Sequence, residues 1–203
     1  MTESIDDKII NSLKKRGMGT VFSTAEYSHC GEPDSVQKAL SRLAQKGELL
    51  HICHGIYCYP KVDKNLDLGV LYPSFEEIAN AIARRDKVRI CPGPALAQNI
   101  LGLSTQVPMN YVYLTDGAGR KVTVKDGRGI LFQHVSPKKL SFSERLAMLI
   151  TTALRDLGEG NVTPEHRARL KKIIDENHPQ RFSVSDLKLM PLWIRKIVEE
   201  LYE

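Results

Sequence analysis

The sequence predicts an α+β protein in two parts, on three observations. Short helical periods alternate with short apolar runs over the first 60 or so residues. Two Asp-Gly dipeptides, 116–117 and 126–127, separate three strand-like runs, which is the chemistry of tight turns in a small antiparallel sheet. From residue 141 onward the apolar pattern is helical throughout. The expected division is 1–62 and 70–203, the second part being a mixed sheet-and-helix domain with a helical C-terminal end. The polar, patternless stretch 61–69 is the expected linker.

In the first part, Ile5, Ile9, Ile10 and Leu13 mark one face of a helix that Gly17 stops. Val21 and Phe22 are extended. Ser23 or Thr24 then caps a brief helix, AEYSH, with Glu26 placed to complete a capping box with Ser23. Glu32-Pro33 opens the next helix, because proline presets φ and lacks only an N–H that the first turn leaves unused. Val36, Ala39, Leu40 and Leu43 fall on one side of it; Ser35, Gln37, Lys38, Ser41, Arg42 and Gln45 occupy the others. Gly47 is placed to end it in a left-handed turn. Two apolar runs, 49–53 and 56–59, meet across His54-Gly55 as a tight hairpin.

Helix, strand, helix, turn, helix, hairpin is the layout of a winged helix-turn-helix, and agreement among several local signals counts for more than any one. In that layout the 23–28 helix crosses the DNA backbone, the 34–45 helix enters the major groove and the hairpin flanks it. Gln37 and Arg42 are then candidates for base edges, through bidentate contacts to adenine and guanine. Ser35, Lys38 and Ser41, with Thr24 and the wing residue His54, are candidates for phosphates. The plainer alternative is a solvated helix face in a protein-binding module without sequence-specific DNA recognition.

Charge gives this reading partial support. The chain carries a net +5. Residues 1–62 hold 8 Lys/Arg against 7 Asp/Glu, 63–139 hold 11 against 7, and 140–203 hold 10 against 10. The expected DNA-reading part is nearly neutral, which weakens its phosphate term. Its cations are nevertheless grouped, with Lys14, Lys15 and Arg16 together and Lys38 one turn from Arg42. The hydrophobic fraction of 42% and charged fraction of 26% are those of an ordinary globular chain. No apolar run nears the roughly 18 residues of a membrane span, and the acidic N-terminus lacks a secretion-signal layout, so a cytoplasmic protein is expected. Cys30, Cys53, Cys58 and Cys91 have no CxxC spacing. His51, Cys53, His54 and Cys58 cluster, but strand alternation sends Cys53 and His54 to opposite faces, against one tetrahedral site. No metal or cofactor is expected.

In the second part, Ser74 and Glu77 form a capping box for a helix burying Ile78, Ala79, Ile82 and Ala83. A strand, 88–91, is broken by Pro92-Gly93-Pro94, which launches a helix over 95–101 stopped by Gly102. Strands follow at 111–114, 120–124 and 129–135. Ser141 with Glu144 caps a helix over 142–157, a second spans 165–177, and the last stretch is helical by period. Trp193, the one tryptophan, reads as an inter-helix anchor.

Three phrases, GELLHICHGIYCYP, YPSFEEIANAIARRD and PGPALAQNILGLSTQVPMNYVYLTDGAGR, resemble the AbiEi-type antitoxins over about residues 21–157. The matching wing residues are His54, Gly55, Ile56, Tyr57 and Pro60. The matching second-domain residues are Asn99 and Leu101, Gly102, Leu103, Ser104, Thr105, Gln106, Val107 and Pro108. The resemblance implies a transcriptional repressor that controls its own operon on double-stranded operator DNA. It also implies a neighbouring nucleotidyltransferase-like toxin whose effect the protein opposes, and such winged helices often act as dimers on DNA. The segment 161–203 carries less of the resemblance. Read physically, Ser104-Thr105-Gln106 is a turn that caps the helix before it and sets the entry to the 111 strand. The glycine-rich 115–120 lacks the strand-loop-helix context of a phosphate loop and reads as a hairpin turn. Asp116, Asp126, Glu76 and Glu77 stand in turns or caps, with no spacing that general acid-base chemistry demands, so no enzyme activity is expected.

Overall fold

The structure, a computed structural model, describes residues 3–63, 69–124 and 127–203. The chain forms two compact units, Met1–Lys87 with Val122–Ile130, and Val88–Lys121 with Leu131–Glu203.

The first unit opens with helix α1, Ile5–Arg16, whose Ser4 cap accepts a hydrogen bond from the Asp7 amide at 3.2 Å. Ile9 and Leu13 are its buried residues, as the spacing predicts. Strand β1, Val21–Ser23, leads into a short helix, Thr24–Cys30, that is 3-10 rather than α. Its buried residues are Tyr27 and Cys30, three apart, which is one face of a helix with three residues per turn. Glu26 accepts from the Ser23 amide at 2.9 Å, the expected reach of the capping box. Helix α2, Pro33–Gln45, buries Val36, Ala39, Leu40 and Leu43 and ends before Gly47, at φ +77°. Strands β2, Leu50–Cys53, and β3, Ile56–Cys58, pair antiparallel across His54-Gly55, and β1 pairs with β3 on its other side. The sheet order is therefore β1-β3-β2. A register shift between His51 and Cys53 breaks strict alternation: Ile52 and Cys53 are both buried. Phe22, Tyr27, Leu40, Leu49 and Tyr57 form the core, with the Phe22 and Tyr27 rings edge-on at 5.1 Å.

The expected linker is only partly described. Its near end, β4, Lys61–Asp63, pairs antiparallel with β5, Gly69–Leu71, while 64–68 lie outside the described residues. Helix α3, Phe75–Asp86, belongs to the first unit, whereas composition places the break before it. The reason is its apolar side: Phe75, Ile78, Ala79, Ile82 and Ala83 are buried. The Ser74–Glu77 box forms as predicted, Glu77 accepting from the Ser74 amide at 2.7 Å.

The second unit holds β6, Ile90–Pro92, helix α4, Pro94–Ile100, and β7, Tyr111–Thr115. With β8, Arg120–Thr123, and β9, Gly129–His134, the strands form a sheet of order β6-β7-β9-β8, in which β6 and β7 run antiparallel. The turn predicted at Asp126-Gly127 lies partly outside the described residues. Asp116 accepts from the Arg89 amide and Nε, both at 2.8 Å, so the glycine-rich 115–120 turn is tied down by an ion pair. Although partial burial pushes the Asp116 carboxyl up, the hydrogen bonds and charge of Arg89 hold it below the usual range. Gln106 is tied back to α4, its carbonyl accepting from Asn99 Nδ2 at 3.1 Å.

Helix α5 runs over Arg145–Leu157, shorter than predicted, and Ser141 does not cap it. A distant carboxylate does so instead. Asp186 accepts from the Ser143 amide at 2.8 Å, Ser143 Oγ at 2.9 Å and the Glu144 amide at 3.0 Å. Helix α6 covers Pro164–Asn177. The last stretch, helical by period, forms two helices, α7, Val184–Leu189, and α8, Leu192–Glu200, because Pro191 has no N–H to continue the first. Leu101, Ile150, Leu154, Leu170, Ile174, Ile194 and Val198 form the core of this unit, and Trp193 packs half-buried against it.

Candidate nucleic-acid interface

The polar side of α2 faces the β2–β3 hairpin across a groove of about 370 Å³, lined by Gln37, Ser41, Ala44, Gln45, His51, His54, Gly55 and Tyr57. Helical spacing places 37, 41, 44 and 45 in one stripe, because residues three and four apart are neighbours on a helix surface. The opposite wall is the two-residue turn, in which Gly55 supplies φ +68°. The groove is lined by no Lys, Arg, Asp or Glu, so it offers side-chain donors and acceptors rather than a cradle of fixed cations.

The groove is braced from below. Gln37 Nε2 donates to the Tyr57 hydroxyl at 3.4 Å, and Thr24 Oγ1 donates to Gln37 Oε1 at 3.4 Å. The Thr24 amide donates to the Gly55 carbonyl at 3.0 Å, joining the 3-10 helix to the turn. The His51 ring lies 5.0 Å from that of Tyr57. These contacts orient the Gln37 amide before anything binds, which lowers the ordering cost of a contact made through it.

The seven candidate residues separate into two stripes and a support. Gln37, Ser41 and His54 come together in the groove. Ser35, Lys38 and Arg42 lie on the adjoining exposed stripe of α2. Among the described residues Lys38 has no ion-pair partner. Arg42 is held by Asp6 of α1, its Nη2 donating to Oδ1 at 2.6 Å and its Nε to Oδ2 at 3.4 Å. The Asp6 hydrogen bond and charge raise the Arg42 pKa above its ordinary value. Thr24 is half-buried, its side chain turned toward Gln37 and the Gly55 carbonyl. Sequence reasoning missed Gln45, His51 and Tyr57 as lining residues and Asp6 as the partner of Arg42. The first three follow from the stripe and the hairpin register, in which His51 faces Tyr57; the last joins residues 36 apart and has no local signal.

Of the acidic residues weighed for chemistry, Asp116 pairs with Arg89, while Asp126 lies outside the described residues. The Glu77 carboxylate accepts from both the amide and hydroxyl of Ser74. The four cysteines are free and buried. Among the described residues no group of three or more His, Cys, Asp or Glu is placed to hold a metal ion, and no helix is long and apolar enough to cross a membrane.

Fold and site thus define an α+β protein with small antiparallel sheets, an open polar helix face beside a hairpin, and a helical C-terminal end. The chain matches DUF6088, described as a family of unknown function, over residues 8–182, and it belongs to that family. No curated protein matches it.

Proposed function

We propose that the first unit is a winged helix-turn-helix that reads double-stranded DNA, and that the protein is a transcriptional repressor. The observation that carries this reading is the exposed polar side of α2, beside the His54-Gly55 turn and uncovered along Ser35, Gln37 and Lys38. A helix of this width fits the major groove, and Gln37 is pre-oriented to meet an adenine edge. The sheet order β1-β3-β2 and the element sequence agree with the same layout. Ser41, Lys38 and Ser35 then meet phosphate on either side, and His54 meets it from the wing.

The antitoxin role rests on the resemblance to AbiEi-type antitoxins, which implies that the protein opposes a nucleotidyltransferase-like toxin from a neighbouring gene. Val107 and Met109, in and beside the LGLSTQVP phrase, are 73% and 96% exposed.

The test is fluorescence anisotropy with a duplex from upstream of the protein's own gene and a scrambled duplex, at several salt concentrations. The expected result is tighter binding to the upstream duplex, weakening steeply as salt rises. Equal affinity for both duplexes removes the repressor, and absence of binding removes the DNA reading altogether. Co-expression of the full chain with the neighbouring gene product tests the antitoxin role. Growth arrest that the full chain fails to relieve rejects it.

A further inference from the structure

The turn that forms the wall of the groove is held from a second direction. Helix α3 ends in Arg84-Arg85-Asp86. Arg85 Nη1 donates to the His54 carbonyl at 2.7 Å, while its Nε donates to Asp86 Oδ1 at 2.9 Å. The neighbouring Arg84 donates from Nη2 to the Val21 carbonyl of β1 at 2.9 Å. The two carbonyls of the turn are therefore each engaged, His54 by α3 and Gly55 by the Thr24 amide of the 3-10 helix. Strand β1 fixes the β3 edge of the hairpin as far as the Ser23–Ile56 pair, but the two-residue tip 54–55 lies beyond that pairing, so its position depends on what grips its carbonyls. Arg85 suits the task, since its planar fork lets one edge be braced by Asp86 while another donor reaches the carbonyl.

We infer that Arg85 is a positioning residue of the nucleic-acid interface: it sets the height of the His54-Gly55 turn over α2. Helix α3 is accordingly part of the DNA-binding unit. The inference rests on the DNA reading proposed above. Arg85 acts through the backbone of His54 and does not itself meet the duplex. It differs in this from the Lys38 type of contact, whose loss removes a cation from the phosphate count.

The experiment uses the full chain as wild type, R85A and R85K, with the upstream and scrambled duplexes, read by anisotropy across a salt series. Hydrogen exchange at the Thr24 amide, which closes onto Gly55, reports the turn without DNA. For R85A the expected result is roughly tenfold weaker binding to the upstream duplex, about the effect of one charge-assisted hydrogen bond. The slope of log affinity against log salt stays that of wild type, and Thr24 exchange accelerates. R85K, which keeps the charge but loses the two-sided grip, falls between the two. A slope shallower by about one would make Arg85 a phosphate contact and overturn the positioning role. Wild-type affinity with wild-type Thr24 exchange in both variants overturns it as well. If R85A does not fold by circular dichroism, R85K decides by the same two measurements. Failure of the wild-type chain to bind either duplex sinks the DNA reading alone, because Thr24 exchange still decides whether Arg85 holds the turn.

Discussion

Replacing Asp186 by Ala probes a long-range polar link within the second unit. Asp186 is 1% exposed and stands at the start of α7, where Ser183 Oγ caps its amide at 3.2 Å. Its carboxylate takes three donors at the start of α5, two amides and a hydroxyl, all at 2.8–3.0 Å. A hydrogen bond to a charged group contributes roughly 1.5–3 kcal/mol, and the negative charge at a helix N-terminus about 0.5 kcal/mol more. These do not add in full, since Ser143 is exposed and water can replace part of what is lost. The expected loss for D186A is about 3 kcal/mol. For D186N it is smaller, about 1.5 kcal/mol, because the amide keeps one acceptor and turns an NH2 toward an N–H. Urea unfolding followed by Trp193 emission is the assay, since the single tryptophan packs against the core of this unit. The midpoint should fall at nearly constant slope. A change below about 0.5 kcal/mol for D186A would mean that desolvation of the carboxylate offsets all three bonds, and would refute the reasoning.

Three further outcomes are expected. Asp6→Asn releases Arg42 from its ion pair and tightens binding to the upstream duplex, while Arg42→Ala weakens that duplex more than the scrambled one; equal loss on both by anisotropy assigns Arg42 to phosphate instead. Burial, reinforced by Glu77, pushes the Cys58 thiol up to about 11; burial does the same for Cys91, again to about 11, against the opposing Thr152 hydrogen bond and Arg145 charge. Because the unfolded thiols ionise near 9.0, their contribution is fully present below that pH and is lost as pH rises toward about 11. The urea midpoint should decline across that window, and less so in C91S. Gly102→Ala should lower the melting temperature by a destabilisation of about 2 kcal/mol, since Gly102 sits at φ +65° and an added Cβ would lie 2.8 Å from Arg169 Nε. An unchanged melting curve would show that Arg169, which donates to the Leu101 carbonyl at 3.2 Å, moves aside without cost.

Much of the candidate site was legible because its signals are local. The apolar stripe of α2, its proline start, the glycine after its end and the His54-Gly55 turn each depend on residues within a few positions of one another. Helix α3 and its capping box were read in place, but composition groups the helix with the residues after it, whereas it packs with the first unit. Composition reports how polar a stretch is and carries no information on which unit an apolar face packs against. The same gap hid the cap of α5, where the nearby Ser141 is the natural expectation and Asp186 does the work from 43 residues away.

By itself, then, the sequence determined the helices, most strands, the turn residues and which side of α2 is polar. These follow from propensity and periodicity over a few residues, where backbone geometry leaves few choices. Only the tertiary structure decided that Asp6 holds Arg42, that Thr24 and Arg85 each hold a carbonyl of the 54–55 turn, and that Gln37 leans on Tyr57. Each of these joins residues from 20 to 36 positions apart. No local preference encodes such pairs; they form when burial of the core brings the elements that carry them into contact.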